Sequence, residues 1–339
     1  MIAASAGSAD AVNQLIARGA VVNAVESRKG QNALMWAAAE GHSNVVRTLI
    51  DHGADVKAKS KGGFTALVFA AVKNDLPSSR ALLAAGADPT YVLPDGSKVL
   101  TVAAIWHSTA VAIALLDGGA DADTVDRTGN TLLHTAAQQG DVELLKKLLA
   151  KGSDPNARTA KVGSAGGRGG GGGFRTQTGE QTPLMLAARA NQIDAMKALI
   201  AAGADTKLKA EDGSTLLMAA VGSGQVEGVK FAWQYDHDIH VIADGGVTMM
   251  HASVTGTAQG ATQEAQDRVC EVIQFLADKG AALDELNAKG RTAIDLADGL
   301  PIDKAVDLLT ELIVKTGAKP KSPSKREREF QRVLKTAGN

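Results

Sequence analysis

The chain is poor in several residues that stabilise other classes of protein. Its 339 residues include a single cysteine, Cys270, so a disulfide within the chain is excluded. Aromatic residues make up 3% of the sequence although hydrophobic residues make up 45%, which indicates a core of alanine and leucine side chains rather than large rings. The sequence also lacks the roughly 18 uninterrupted apolar residues that a membrane-spanning helix needs.

Neither sign of charge dominates the sequence. It has 36 lysines and arginines against 37 aspartates and glutamates, a formal net charge of −1 and a pI near 6.7. The chain as a whole is therefore not attracted to nucleic acid or to an anionic membrane. The serines near turns lack the glycine-flanked elbow of a hydrolase nucleophile, and no spacing suggests a Ser/His/Asp or Cys/His set.

The sequence is instead rich in one repeated phrase. A segment of the type Thr-x-Leu-x-x-Ala-Ala recurs, and a leucine-rich segment ending in Gly-Ala follows most of the copies. The first residue of the phrase falls at Asn32, Thr65, Lys98, Thr131, Thr182, Thr215, Thr248 and Thr292. Five of the seven intervals are 33 residues long, and the other two are 51 and 44. A period of this length predicts a stack of repeated units with two insertions.

Each repeat carries the signals of two helices. Thr131 suits the N-cap of the first helix, and Pro183 suits the first helical position of its own repeat, where no amide is needed. The paired alanines Ala136 and Ala137 keep the first helix thin, so a neighbouring repeat can approach closely. Gly152 ends the second helix in a left-handed conformation that other residues adopt at a cost.

These residues resemble the ankyrin repeat family. The resemblance is strongest over residues 129–137 and 140–152, and it extends from about residue 2 to 318. It implies an all-α solenoid of about eight to nine helix-turn-helix units with short β-turn fingers, one glycine-rich loop insertion and a basic C-terminal tail. It also implies that His134 and His251, in the Thr-x-x-His form of the phrase, bridge turns by hydrogen bonds.

The repeat phase predicts the domain organisation. We expect one repeat domain over residues 1–318, with a partial repeat at 1–23, and a tail at 319–339. The insertions are expected at 158–181, which includes the glycines of 166–173, and at 257–267, which lengthens a loop or the helix after it. No Gly-Lys-Ser/Thr sequence follows the glycines, so a phosphate-binding loop is not indicated.

The beginning of the sequence falls inside a repeat. This predicts either a trimmed form of a longer protein, which is the favoured interpretation, or an atypical first repeat. It also predicts an uncapped first repeat through which the chain could self-associate. A signal peptide would have been lost with the missing part. The alanine- and glycine-rich composition resembles that of bacterial ankyrin-repeat proteins, many of which are exported.

The resemblance implies a binding surface on the concave face, where the residues after the alanine pair and the finger tips lie. The predicted partner-binding residues are Lys73, Tyr91, Leu93, Ile105, Trp106, Gln138, Gln139 and Arg189. Trp106 occupies a position that is usually small or polar, and it either anchors a partner or folds back to fill a defect in the irregular Lys98 repeat. We therefore expect a non-enzymatic scaffold that binds another protein, with no cofactor and no nucleic-acid partner.

One cluster favours a different class of function. His237, Asp238 and His240 stand close together in a repeat that has lost its usual glycine, and their nitrogens and oxygens could bind a divalent metal. The alternative hypothesis is thus a metal-dependent hydrolase with its site at the seventh and eighth repeats. The simpler interpretation is that the second helix ends at Tyr235 and polar residues fill the turn.

Overall fold

The computed structural model describes residues 1–126, 129–161, 178–256 and 262–322. Within these ranges the chain forms eighteen α-helices, one short 3-10 helix and isolated antiparallel bridges, without a β-strand. The prediction of an all-α fold is confirmed. The glycines of 166–173, residues 257–261 of the second insertion and the tail from residue 323 lie outside the described residues.

The helices form nine consecutive pairs, as the repeat phase predicts. The pairs are α1 (Ile2–Ser5) and α2 (Ala9–Ala17); α3 (Ala33–Glu40) and α4 (Ser43–Asp51); α5 (Ala66–Val72) and α6 (Leu76–Ala84); α7 (Val99–Ile105) and α8 (Thr109–Asp117); α9 (Leu132–Gln139) and α10 (Val142–Ala150); α11 (Pro183–Arg189) and α12 (Ile193–Ala201); α13 (Leu216–Val221) and α14 (Val226–Trp233); α15 (Met249–Thr255) and α16 (Gln263–Asp278); α17 (Ala293–Asp298) and α18 (Asp303–Lys315). The 3-10 helix is Asp244–Gly246.

The described residues divide into two compact units. Unit 1 consists of Met1–Asp126, Thr131–Ala136 and Asp141–Ser153, and unit 2 holds the described residues of 127–130, 137–140 and 154–322. Within unit 1, α3 contacts α5, and α5 contacts α7, while α4 contacts α6, and α6 contacts α8. Within unit 2, α11, α13, α15 and α17 are joined in the same way. Each unit is therefore a stack in which the first helices of successive repeats contact one another. That residues 1–318 form a single repeat domain remains a prediction.

The phrase that marks each repeat caps its first helix. The side chains of Asn32 and Thr182 accept the amides of Met35 at 3.0 Å and Met185 at 3.3 Å. Lys98 is the exception, because its ammonium group has no lone pair to accept an amide, and α7 begins without a side-chain cap. The predicted capping role of Thr131 is confirmed, since its hydroxyl accepts the amide of His134 at 3.4 Å.

One histidine of the phrase, His251, bridges two neighbouring repeats. His251 Nδ1 accepts the Thr248 amide at 3.2 Å and lies 2.8 Å from Thr248 Oγ1, while Nε2 lies 3.0 Å from the carbonyl oxygen of Arg291 in the next repeat. An accepting Nδ1 leaves the proton on Nε2, which then donates to that carbonyl. Burial lowers the pKa of His251, so the neutral ring that this arrangement requires is also the favoured one.

Asparagines bridge the loops between repeats in both units. Asn23 donates to the carbonyl oxygen of Gly53 at 3.1 Å and accepts the Asp55 amide at 2.8 Å. In unit 2, Asn156 donates to the carbonyl oxygen of Gly203 at 3.4 Å and accepts the Asp205 amide at 2.7 Å. A single side chain thus satisfies a donor and an acceptor of the following repeat.

The part of the second insertion that is described belongs to a helix. Thr262 caps α16, and residues 263–267 form its first turns, so this helix has 16 residues where the second helices of other repeats mostly have 9. Lengthening of the following helix, one of the two predicted outcomes, is therefore observed. No helix in the described ranges is both long and apolar enough to cross a membrane.

Candidate functional site

Trp106 is the most exposed large aromatic side chain of the predicted surface. It follows the last residue of α7, and 59% of its surface is exposed, as is 57% of Ile105 beside it. Of the two predicted roles, filling a defect is contradicted, because a ring that fills a defect would be buried. The ring and the adjacent isoleucine instead form an apolar spot on the surface of unit 1.

The backbone that carries Trp106 is fixed on both sides. The Trp106 amide donates to the carbonyl oxygen of Val102 at 3.1 Å, and the Ser108 amide donates to that of Ala103 at 2.8 Å. The Ser108 hydroxyl also donates to the carbonyl oxygen of Ala71 in the preceding repeat at 2.6 Å. The indole is therefore presented to solvent from a rigid position, as an interface anchor requires.

Lys73 occupies the same position as Trp106 one repeat earlier. It follows α5 and is exposed, and α5 and α7 are in contact. The prediction that both residues belong to one surface agrees with this placement in unit 1.

Tyr91 and Leu93 lie on a loop of unit 1, but only one of them is accessible. Tyr91 is half-buried, and its hydroxyl donates to the carbonyl oxygen of Gly63 at 2.7 Å. Leu93, predicted to be exposed, is buried with 6% of its surface accessible, so that expectation was wrong. Its amide donates to the carbonyl oxygen of Ser97 at 2.8 Å, which closes the turn with the leucine inward and leaves Val92 49% exposed.

The other predicted binding residues lie in unit 2. Gln138 is exposed at the end of α9, whereas Gln139 is half-buried, with its Oε1 buried away from any hydrogen-bond donor. Arg189, the last residue of α11, is exposed and makes a polar contact of its own. These three side chains keep their predicted positions at the ends of first helices.

The cluster His237, Asp238 and His240 does not form a metal site. In the described parts of the chain no three His, Cys, Asp or Glu side chains come together in a way that could hold a metal ion. The His237 ring instead lies edge-on against Trp233, with 4.9 Å between ring centroids. Adjacent residues in an extended turn point in different directions, which the sequence spacing could not show.

The polar residue that matters in this segment is Asp236. It is buried, and its carboxylate accepts the amide of Leu217 at 3.0 Å and that of Asp238 at 3.2 Å. It therefore ties this turn to the first turn of α13, which is a structural role. The helix before it, α14, ends at Trp233, two residues earlier than the predicted Tyr235.

The surroundings of Cys270 disfavour the reactive form of its thiol. Its side chain is half-buried on α16, and burial raises the pKa of the thiol. The thiolate, which is the reactive form, is disfavoured there.

The comparisons with known proteins agree with the architecture described above. The profile of the family described as ankyrin repeats (3 copies) matches residues 1–92, 79–159 and 170–243, which is well over half of the chain. The chain belongs to the ankyrin repeat family. Among curated proteins it is similar to the E3 ubiquitin-protein ligase KEG of Arabidopsis thaliana, with 25% identity over 175 residues. This similarity covers 52% of the chain and only 9% of that much longer relative.

Ankyrin repeats are modules of protein–protein interaction, so membership of the family makes a protein the expected type of partner. The features that this chain adds to the family pattern are the exposed indole at Trp106 and the charges of its loops. The sequence signal for Trp106 was its departure from the repeat consensus. The segregation of charge between loops, described below, does not show in the net charge of the sequence, which sums cations and anions that lie on different loops.

Proposed function

We propose that the protein is a non-enzymatic scaffold that binds another protein through the surface on which its first helices end. The observation that carries this proposal is the exposed, rigidly held indole of Trp106. An aromatic side chain of this size provides much of the binding energy when a partner buries it, and exposing it to water has no structural benefit.

The apolar spot at Ile105 and Trp106 favours a protein partner whose contact surface has both apolar and polar groups. Lys73 brings a positive charge to the position equivalent to Trp106 in the preceding repeat. Both side chains belong to unit 1. An apolar centre among polar groups is the composition of a typical protein interface. Self-association through the first repeat remains a separate prediction.

The test is a comparison of two alanine variants against a purified partner. The partner is identified by chemical crosslinking to the wild-type chain and mass spectrometry, and its affinity is then measured by calorimetry. Trp106→Ala is expected to weaken binding by at least about 1 kcal/mol and to change the free energy of unfolding by less than about 0.5 kcal/mol.

The matched control is Leu15→Ala. Leu15 lies on α2, a second helix, with 49% of its surface exposed, so it removes a similar exposed apolar group from a different surface. Equal affinity of the wild type and the Trp106→Ala variant, with folding intact, would remove Trp106 from the interface and the proposal with it.

A further inference from the structure

Two neighbouring loops of unit 1 concentrate positive charge. We call residues 23–31 and 55–64 the basic fingers; their cations are Arg28, Lys29, Lys57, Lys59 and Lys61. All five side chains are exposed, and none forms an ion pair with the described residues. Elsewhere on the chain, surface cations such as Lys98 and Lys147 do have carboxylate partners.

The two carboxylates of the basic fingers serve the backbone. Glu26 accepts the amides of Arg28, Lys29 and Gln31 at 2.6, 2.7 and 3.0 Å. These bonds, the one from Gln31 above all, lower the pKa of Glu26, and the charge of Lys61 adds to the effect. Asp55 likewise accepts the amide of Lys57. Neither carboxylate neutralises a lysine by direct contact.

The basic fingers touch each other and present their cations together. The Lys61 amide donates to the carbonyl oxygen of Lys29 at 2.8 Å, which joins the two loops. Along the second loop Val56 and Ser60 are buried, whereas Lys57, Lys59 and Lys61 are exposed. This alternation places three lysine side chains on the outer side of the loop. The Lys61 ammonium donates to the carbonyl oxygen of Ser27 at 2.5 Å, so its charge lies between the two basic fingers.

Apolar surface lies among these cations. Val25 is 59% exposed on the first basic finger, and Phe64 is 38% exposed on the second. Lys59 Nζ lies 4.7 Å from the centre of the Tyr91 ring, so its position is held by a cation–π contact. A ligand bound to the basic fingers would therefore contact both positively charged and apolar side chains.

The next two loops of unit 1 have the opposite charge. We call residues 88–97 and 121–126 the acidic fingers; they carry Asp88, Asp95, Asp121, Asp123 and Asp126 and have no basic residue. Lys98, just after the first of them, is paired with Asp121 at 2.9 Å. Among the described residues of these four fingers, the cations therefore lie in the two basic fingers.

We propose that the basic fingers bind an acidic peptide segment of the protein partner, with an apolar side chain of that segment resting on Val25 and Phe64. The inference rests on the proposed function and names the chemistry of the partner. Helical repeats pack about 10 Å apart, so two fingers match about six residues of extended peptide at about 3.3 Å per residue.

A protein segment fits this edge better than a nucleic acid does. A polyanion of uniform charge that lay along the fingers would pass from five cations onto loops that carry aspartates and no cation of their own, where repulsion opposes binding. A peptide can end its acidic run after a few residues and continue with neutral or basic ones. The charge pattern of unit 1 therefore also sets the direction in which such a segment would lie.

The experiment uses the full chain and a synthetic probe. The probe is a fluorescein-labelled peptide of glutamates interrupted by phenylalanines, about six residues long, and binding is measured by fluorescence anisotropy. A peptide with glutamine in place of every glutamate and a thymidine oligonucleotide of the same length are measured beside it. We expect the glutamate peptide to bind most tightly and its affinity to fall several-fold between about 20 mM and about 150 mM salt.

The decisive variants have equal changes of charge. Lys29→Glu with Lys57→Glu alters the basic fingers at two exposed side chains that form no hydrogen bond or ion pair with the described residues, so folding is preserved. Arg47→Glu with Arg80→Glu is the control, because these exposed arginines lie on α4 and α6, beside a cleft of about 340 Å³ in the same unit. We expect about a tenfold loss of peptide affinity for the first pair and less than about a twofold loss for the second.

Four results would each overturn the inference: no binding of the glutamate peptide, equal binding of the glutamine peptide, equal losses in both variants, or tighter binding of the oligonucleotide. The last of these would indicate a nucleic-acid ligand. The proposed function is judged separately by Trp106→Ala. If that variant loses the purified partner while the Lys29→Glu, Lys57→Glu variant retains it, the scaffold role stands and the acidic segment does not.

Discussion

The Lys98 repeat and the Thr182 repeat have the same core and different ends. In α7 the side chains of Leu100 and Ala103 are buried, as are those of Leu184 and Ala187 in α11. At its start, however, α11 has a threonine cap followed by Pro183, whereas α7 has neither.

The far ends of the two helices also differ. The turn after α11 contains Asn191 with a φ of 55°, and the turn after α7 contains His107 with a φ of 53°. Asparagine adopts this left-handed conformation more readily than histidine does, because its short polar side chain can form a local hydrogen bond. The Lys98 repeat therefore keeps the buried residues of the repeat pattern and departs from that pattern at both ends of its first helix. It is also the repeat that carries the exposed Trp106.

The largest expected change in stability tests whether the cores of the Lys98 and Thr182 repeats are equally well packed. Leu100→Ala and Leu184→Ala are each expected to lower the free energy of unfolding by about 2–5 kcal/mol, because each leaves a cavity in a close-packed interior. Urea unfolding followed by circular dichroism measures both. A much smaller loss at Leu100 would mean that the Lys98 repeat is loosely packed throughout, and the comparison would then fail.

The next effect concerns the start of the helix. Thr182→Ala should lower the free energy of unfolding by about 1 kcal/mol because an amide of α11 loses its acceptor. Lys98→Thr should raise it by about 0.5 kcal/mol, since a new cap outweighs the exposed ion pair with Asp121. The same urea titrations decide the matter, and a Lys98→Thr variant less stable than the wild type would show that the ion pair is the stronger contact.

A similar or smaller gain is expected at the end of the helix. His107→Gly should stabilise the protein by about 0.5–1 kcal/mol, because glycine adopts a positive φ without steric cost. Asn191→Gly, the matched change, should have less than about half that effect. Hydrogen exchange of the amides around each turn would locate the change, and equal gains at both sites would contradict the assignment of strain to His107.

The smallest effect comes from a single titrating side chain in a third repeat. Burial lowers the pKa of His251, so the unfolded chain binds a proton more readily than the folded one does. Stability from this group is complete above the ordinary histidine pKa and is lost as the pH falls toward the lowered value. His251→Asn retains an acceptor for Thr248 and should flatten the acid side of a plot of unfolding free energy against pH. An unchanged slope would show that another group is responsible.

The repeat pattern predicted the fold because its signals are local. A cap such as Thr182 and the spacing of leucines depend on neighbours in sequence, and the absence of a cap at Lys98 follows from the chemistry of an ammonium group. The burial of Leu93 and the exposure of Val92 could not be predicted, because they depend on the register of a short turn. The same is true of Glu26, whose carboxylate looks available in the sequence but is occupied by three amides in the structure.

The asparagine bridges explain how a stack can accept additional chain without losing its order. Asn23 reaches Gly53 and Asp55 over 30 and 32 residues, whereas Asn156 makes the same pair of bonds over 47 and 49. The extra residues leave the hydrogen-bonded partners in place, since the bridge depends on position in space and not on the length of the connection. The length of the connection between residues 161 and 178 can therefore vary, and a protein engineer could place a tag or a reporter there while the bonds of Asn156 to Gly203 and Asp205 persist.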